Sequence, residues 1–245
     1  QVTFPPPQVP PPLPPLPRAA QSAPRKPRAR RNNYRQPDSK PTVTNAVISI
    51  NVGLYLWMSL SGFDKTSINF VISRQFLEQG DWYRLLSCGF VHFGVFHLAM
   101  NMLLAYQLGQ MFEQKIGSLR FGLLYFTSLL GGSVGALIMS PEAITGGASG
   151  AVFGLMAASF FGMRQQGINP LQTGLGLTFV LNIVITLAIP GISIGGHFGG
   201  AAIGALCGLF VLTPTKRSLP KFVEIGAPVV ISLALILAAV NFVNA

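Results

Sequence analysis

Seven runs of mostly apolar residues, long enough or nearly long enough to cross a bilayer, constrain this chain more than any other feature. They lie near residues 44–62, 94–112, 119–139, 149–163, 172–189, 193–213 and 226–243. A spanning helix needs roughly 20 such residues at ~1.5 Å of rise each. In hydrocarbon a helix is also one of the few structures that satisfies its own backbone. Half of the chain is hydrophobic and only 10% is charged, against about 25% charged in soluble domains. An all-α integral membrane protein is the class these runs allow. Residues 63–91, which include Trp82, are too polar to span and apolar enough to lie in the membrane interface.

The ends read differently. Residues 1–43 hold 13 of the 19 prolines, so this stretch is expected to be a disordered, basic cytoplasmic tail that could engage a proline-binding partner. It is polar from its start, and no secretory signal peptide is expected in it. Residues 44–213 form the expected membrane core, and 214–245 a linker with a further C-terminal transmembrane helix. The net charge of +10 raises the possibility of nucleic-acid binding, but eight of the 17 basic residues crowd into the first 40 positions, ahead of the first span. That distribution marks a cytoplasmic terminus, and no nucleic acid is expected as a partner. With the N-terminus inside, fourteen basic residues fall on the inner side, including Lys115, Arg120, Arg164, Lys216, Arg217 and Lys221. Only Lys65, Arg74 and Arg84 fall outside. Low charge and compact loops favour a bacterial plasma membrane. Cys88 and Cys207 have no metal-ligand spacing and read as buried small residues, and no metal or cofactor is expected.

The fourth run is short. From Ser149 to Met163 is 15 residues, or roughly 22 Å of helix against ~30 Å of hydrocarbon. The preceding Thr145-Gly146-Gly147-Ala148 is irregular by composition. Such backbone is tolerated at membrane depth only where protein or a wet cavity surrounds it. Ser149 is therefore expected at the head of a helix, below the outer surface, facing a pocket that admits water.

The chain's three histidines, His92, His97 and His197, lie near the starts of even-numbered runs, as Ser149 does. All four are thus expected at one depth, and ionisable groups inside a membrane are costly enough to suggest function. A serine hydroxyl needs a base within hydrogen-bond reach, and His197 serves if the sixth run packs on the fourth. Gly195, Gly196, Gly199, Gly200 and Gly204 are expected to supply the small face for that packing, with Gly150 and Gly154 opposite. Glu113, at the inner end of the second run, is the one carboxylate within the runs. A Ser–His dyad is therefore expected rather than a triad. His97 and Asn101 share a helix face. They serve either as hydrogen-bond donors to a developing oxyanion or as a structural pair between helices. His92 is expected in a structural or gating role.

Several motifs resemble those of the rhomboid family of intramembrane serine proteases. Gly147-Ala148-Ser149-Gly150 matches its G-x-S-G motif, and His197 to Gly204 its H-x-x-G-x-x-x-G motif. His92 to Asn101 matches H-x-x-x-x-H-x-x-x-N, and Trp82-Tyr83-Arg84 resembles the tryptophan–arginine element of the first loop. Glu113, Gly117 and Ser118 match the E-x-x-x-G-S turn. The resemblance runs from about residue 44 to 213. It implies a six-helix core, so that the last run is an extra seventh helix, and cleavage of single-pass transmembrane proteins near the outer face of the lipid bilayer. Small or helix-breaking residues would flank the cleavage point. It implies Ser149 as nucleophile and His197 as general base, with His97, Asn101, Gly147 and the Ser149 amide around the oxyanion hole. Phe153 matches an aromatic position beside the base, where tyrosine is the alternative. His92, Trp82, Arg84, Glu113, Gly200 and Gly204 are implied as structural.

Other classes fit less well. An inactive relative would have lost the serine or the histidine, and both are present. A bis-histidine haem carrier or a transporter would leave the glycines and the G-A-S-G element without a role. No H-E-x-x-H occurs, and no aspartate lies within the runs.

Overall fold

The computed structural model describes residues 40–212 and 219–245. The expectations for the proline-rich tail, its partner and Lys216 and Arg217 fall outside the described residues. Seven long helices follow the apolar runs closely: α1 (Thr42–Ser61), α2 (Val95–Ile116), α3 (Ser118–Met139), α4 (Ser149–Gln165), α5 (Gly174–Ala188), α6 (Ile194–Val211) and α7 (Lys221–Asn244). α1 begins two residues inside the expected tail, after Pro41, which cannot donate to a preceding turn. α4 is 17 residues long rather than 15.

The helices divide by what surrounds them. α1, α3, α6 and α7 are long and apolar enough to cross a bilayer, and α5 is apolar but only 15 residues. α2 reaches that standard jointly with the short helical segment Arg84–Phe90, from which it bends by 100°. α4 is the most enclosed: 11 of its 17 residues are buried, many of them glycine, alanine or serine. A helix walled by protein rather than lipid has no need of a uniformly apolar surface, which is why its run is weak in sequence. α5 is peripheral, with Gly176 and Thr186 its buried residues.

The turns have local causes. Gly117, at φ +83°, ends α2 and starts α3 in a single residue, a backbone state that favours glycine. Thr173 and Ser193 cap α5 and α6, their hydroxyls accepting from Gly176 N–H at 3.3 Å and Gly196 N–H at 3.1 Å. The segment expected to lie in the interface carries short helical turns, Phe63–Ser67, Arg74–Glu78 and Arg84–Ser87.

α7 packs mainly on α3. Thr127 Oγ1 lies 2.8 Å from Ser232 Oγ, and Arg120 pairs with Glu224 at 2.5 Å. Glu224 joins Glu113 as a carboxylate of the long helices, because α7 starts at Lys221, upstream of the apolar run 226–243. At its far end, Arg74 donates to the Val243 carbonyl at 3.3 Å.

Candidate active site

Ser149 is the first residue of α4, and the chain reaches it through a pinned loop. Ile72 and Thr145 exchange both backbone hydrogen bonds at 2.9 Å, Arg74 N–H donates to Pro141 at 2.8 Å, and Gly147 N–H donates to Cys88 at 2.9 Å. His92 accepts the Ala148 N–H at 3.3 Å through Nε2. The first long connection therefore fixes the backbone on which the serine stands. The first N–H groups of a helix lack intrahelical acceptors, so the amides at the head of α4 are free to face an incoming oxygen.

Small residues set the distance between α4 and α6. A Cβ added at Gly200 would run into the backbone of Gly150, one at Gly204 into the backbone of Gly154, and one at Gly208 would lie 3.0 Å from the Ala158 Cβ. These pairs repeat every four residues down both helices, the spacing of one face. The helices can approach closely only because side chains are missing there. Gly195 and Gly199 depart from expectation: both face α3, at Gly135 and Gly131, not α4. The sixth helix is thus wedged between two neighbours, with one glycine row for each. With Gly150 against Gly196 and Gly200, the adjacent Ser149 and His197 come to the same end of the contact.

Ser149, His197, His97, Asn101 and Gly147 all line one cavity of about 560 Å³. Its wall also holds Phe93, Phe96, Met100, Ile185 and Ile189, a largely apolar lining with a few polar groups, the usual form of a binding cleft. Gly147 has φ +135°, and a Cβ there would lie 2.8 Å from His97 Nε2 and 3.7 Å from Ser149 Oγ. Glycine at 147 is therefore required twice, by conformation and by the approach of the histidine. Asn101 donates one amide proton to the His97 carbonyl at 2.9 Å, and its amide carries a second. Hence His97 and Asn101 border the cavity beside Ser149.

His197 is held on two sides. Phe153 stacks on its ring, with centroids 4.1 Å apart and planes 21° from parallel. Thr186 Oγ1 lies 2.7 Å from Nδ1. Thr186 was not among the residues expected from sequence. It is a neutral hydroxyl, not a carboxylate, near the end of the neighbouring helix.

The remaining expected positions are away from the cavity. His92 is buried, with its ring 4.9 Å from that of His97. Trp82 packs on a cluster that includes Leu85, Leu130 and Val134. Arg84 is buried, donating to the carbonyls of Ile68 and Val71 and pairing with Asp81 at 2.9 Å. Glu113 accepts from Val43 and Thr44 N–H, both at 2.8 Å, and from the hydroxyls of Thr44 and Ser118 at 2.7 and 2.6 Å. It closes the N-terminus of α1, where a carboxylate meets unsatisfied amides and the positive end of the helix dipole.

A serine and a histidine on adjacent helices, facing one cavity inside a bundle of apolar helices, define a multi-pass integral membrane protein with a built polar site. A Rhomboid domain matches residues 79–214, more than half of the chain. The chain belongs to the rhomboid family. It is similar to Rhomboid protease GluP of Bacillus subtilis (strain 168), with 29% identity over 212 residues, 84% of this chain and 40% of that protein. RHOMBOID-like protein 4 of Arabidopsis thaliana is 36% identical over 143 residues, 57% of this chain and 36% of its own length. Rhomboid-type serine protease 2 of Emericella nidulans is 30% identical over 142 residues, 54% and 27% respectively. The chain thus spans less than half the length of each of these relatives.

Proposed function

We propose that this chain is an intramembrane serine endopeptidase that cleaves single-pass transmembrane proteins through a Ser149–His197 dyad. The observation that carries this is the shared cavity: Ser149 heads α4, His197 lies on α6, and the glycine contacts bring the two helices together at that end. The names of the relatives, two of them proteases, agree with it.

In the proposed cycle a substrate segment unwinds into the cavity, and Ser149 Oγ attacks the exposed carbonyl as His197 takes its proton. The tetrahedral oxyanion is stabilised by the Ser149 N–H with His97 and Asn101. His197 then protonates the leaving amine, and water releases the acyl group by the same route. One such donor is worth about 10²–10³ in rate in serine proteases. The family membership supports a preference for small or helix-breaking residues at the cleavage point. Fourteen basic residues on the expected inner side support a cytoplasmic N-terminus, with the cavity towards the outer face. Six helices then form the protease core, with α7 added at its flank. Low charge and compact loops support a bacterial plasma membrane as its home, and a proline-binding partner for residues 1–43 belongs to the same proposal.

The test is labelling by a fluorophosphonate, read together with cleavage of a single-pass reporter protein. Wild type should label and cleave, whereas Ser149→Ala and His197→Ala should do neither. Equal labelling of all three proteins would sink the dyad.

A further inference from the structure

We propose that Thr186 is a positioning residue for His197: its hydroxyl accepts the Nδ1 proton, fixes the imidazole as the Nδ1–H tautomer and leaves Nε2 free as the base. The inference rests on the assignment of His197 as base to Ser149.

Thr186 is in the last turn of α5 and is 2% exposed. Its Oγ1 makes two short contacts, 2.6 Å to the Asn182 carbonyl and 2.7 Å to His197 Nδ1. A threonine hydroxyl has one hydrogen to give and two lone pairs to offer. The Asn182 carbonyl can only accept, so at 2.6 Å the hydrogen belongs between those two oxygens. Were it turned to Nδ1, two oxygen lone pairs would face each other at that distance in a buried site. The Thr186 oxygen is therefore left to accept, and the proton it accepts is on Nδ1. The other imidazole nitrogen, Nε2, then has its lone pair available.

Donation to the carbonyl four residues back is common for helical threonine and serine. Ser128, Ser159 and Thr178 do the same, to Leu124, Leu155 and Gly174. Thr186 differs in its second partner, on another helix. Among the described residues it is the one side-chain hydrogen bond joining α5 to α6. The Asn182 carbonyl polarises the hydroxyl, which strengthens the oxygen as an acceptor and stabilises the imidazolium that forms during reaction. A carboxylate in this place would do so more strongly, but it would bring a charge into an apolar bundle at large desolvation cost. A neutral hydroxyl backed by a peptide carbonyl orients the base without that cost.

The experiment uses the full chain in bilayers, with the reporter protein as substrate. Thr186→Val keeps the branched shape and removes the hydroxyl, and Thr186→Ser keeps the hydroxyl. The expected result is a fall in kcat of about 10- to 100-fold for Thr186→Val with KM little changed, and recovery to within a few-fold of wild type in Thr186→Ser. Nitrogen-15 spectra of the wild type should show the His197 proton on Nδ1, and those of Thr186→Val a shift towards Nε2–H. Unchanged kcat in Thr186→Val, equal loss in both variants, or an Nε2–H tautomer in the wild type would each overturn the proposal. Cleavage by Ser149→Ala would instead remove the Ser149–His197 dyad on which the inference rests. The wild-type spectrum decides the tautomer even if Thr186→Val fails to fold.

Discussion

The ring of Phe153 lies over the imidazole of His197, with centroids 4.1 Å apart. Phe153 is one turn into α4 from Ser149, so the helix that begins at Ser149 also braces the His197 ring. A flat neighbour restricts rotation of the imidazole about χ2 without competing for its nitrogens. Tyrosine offers the same face, so Phe153→Tyr should retain most activity. Phe153→Ala removes the brace and opens a gap beside the His197 imidazole. Misplacement of a catalytic group by ~1 Å can cost about 10²-fold. Reporter cleavage should fall by about 10-fold or more in Phe153→Ala, with fluorophosphonate labelling slowed in parallel.

The glycines divide into those with neighbours and those without. A Cβ at Gly204 meets the Cα, carbonyl carbon and oxygen of Gly154, all backbone atoms that cannot swing aside. A Cβ at Gly226 meets nothing within 4 Å. Gly204→Ala should force α4 and α6 apart, at about 1–3 kcal/mol for overpacking, and shift Ser149 relative to His197 in the cavity they share. Gly226→Ala gains helix propensity, up to ~1 kcal/mol, and should leave activity unchanged. Thermal unfolding and reporter cleavage of the two variants test this together. Equal behaviour would mean that the glycine row is not what sets the helix spacing.

These contrasts also show what could be read before folding. The head of α4 was legible because Gly146 and Gly147 break the apolar pattern just before Ser149, and the structure begins the helix at that residue. Gly200 and Gly204 were legible as a contact row because their spacing of four admits one face. Which helix Gly195 and Gly199 touch was not, since a row of small residues carries no label for its partner. Thr186 was hidden for a related reason. Its bond to His197 crosses between helices, and a hydroxyl in an apolar run has many local uses. Glu224 was missed because the polar first turn of α7 precedes the apolar run.

Glu113 is surrounded by donors alone. Oε1 accepts from Val43 N–H and the Ser118 hydroxyl, Oε2 from Thr44 N–H and the Thr44 hydroxyl. Glutamine is nearly the same size, but whichever way its amide turns, an NH₂ group faces donors. Glu113→Gln should therefore destabilise the fold, by about 1–3 kcal/mol for buried groups left unmatched. The loss should appear as a lower unfolding temperature. The α1–α2 junction is remote from the cavity, so cleavage well below that temperature should stay near wild type. Loss of activity in a protein that melts normally would contradict a purely structural role.

Arg120 and Glu224 join α3 to α7 through side chains that are 29% and 12% exposed. Partial burial reduces screening, while the remaining access to water limits the penalty of taking both charges out of it. Fully exposed pairs are typically worth about 0.2–1 kcal/mol, so a coupling of roughly 1–2 kcal/mol is expected here. Arg120→Glu would set two carboxylates against each other, and Glu224→Arg two guanidinium groups. Each reversal should lower the unfolding temperature, and the double reversal should recover a good part of the loss, because the charges face each other again. A double-mutant cycle measures the coupling directly. Simple addition of the two single effects would show that α7 is held by Thr127, Ser232 and apolar packing, with the ion pair contributing nothing.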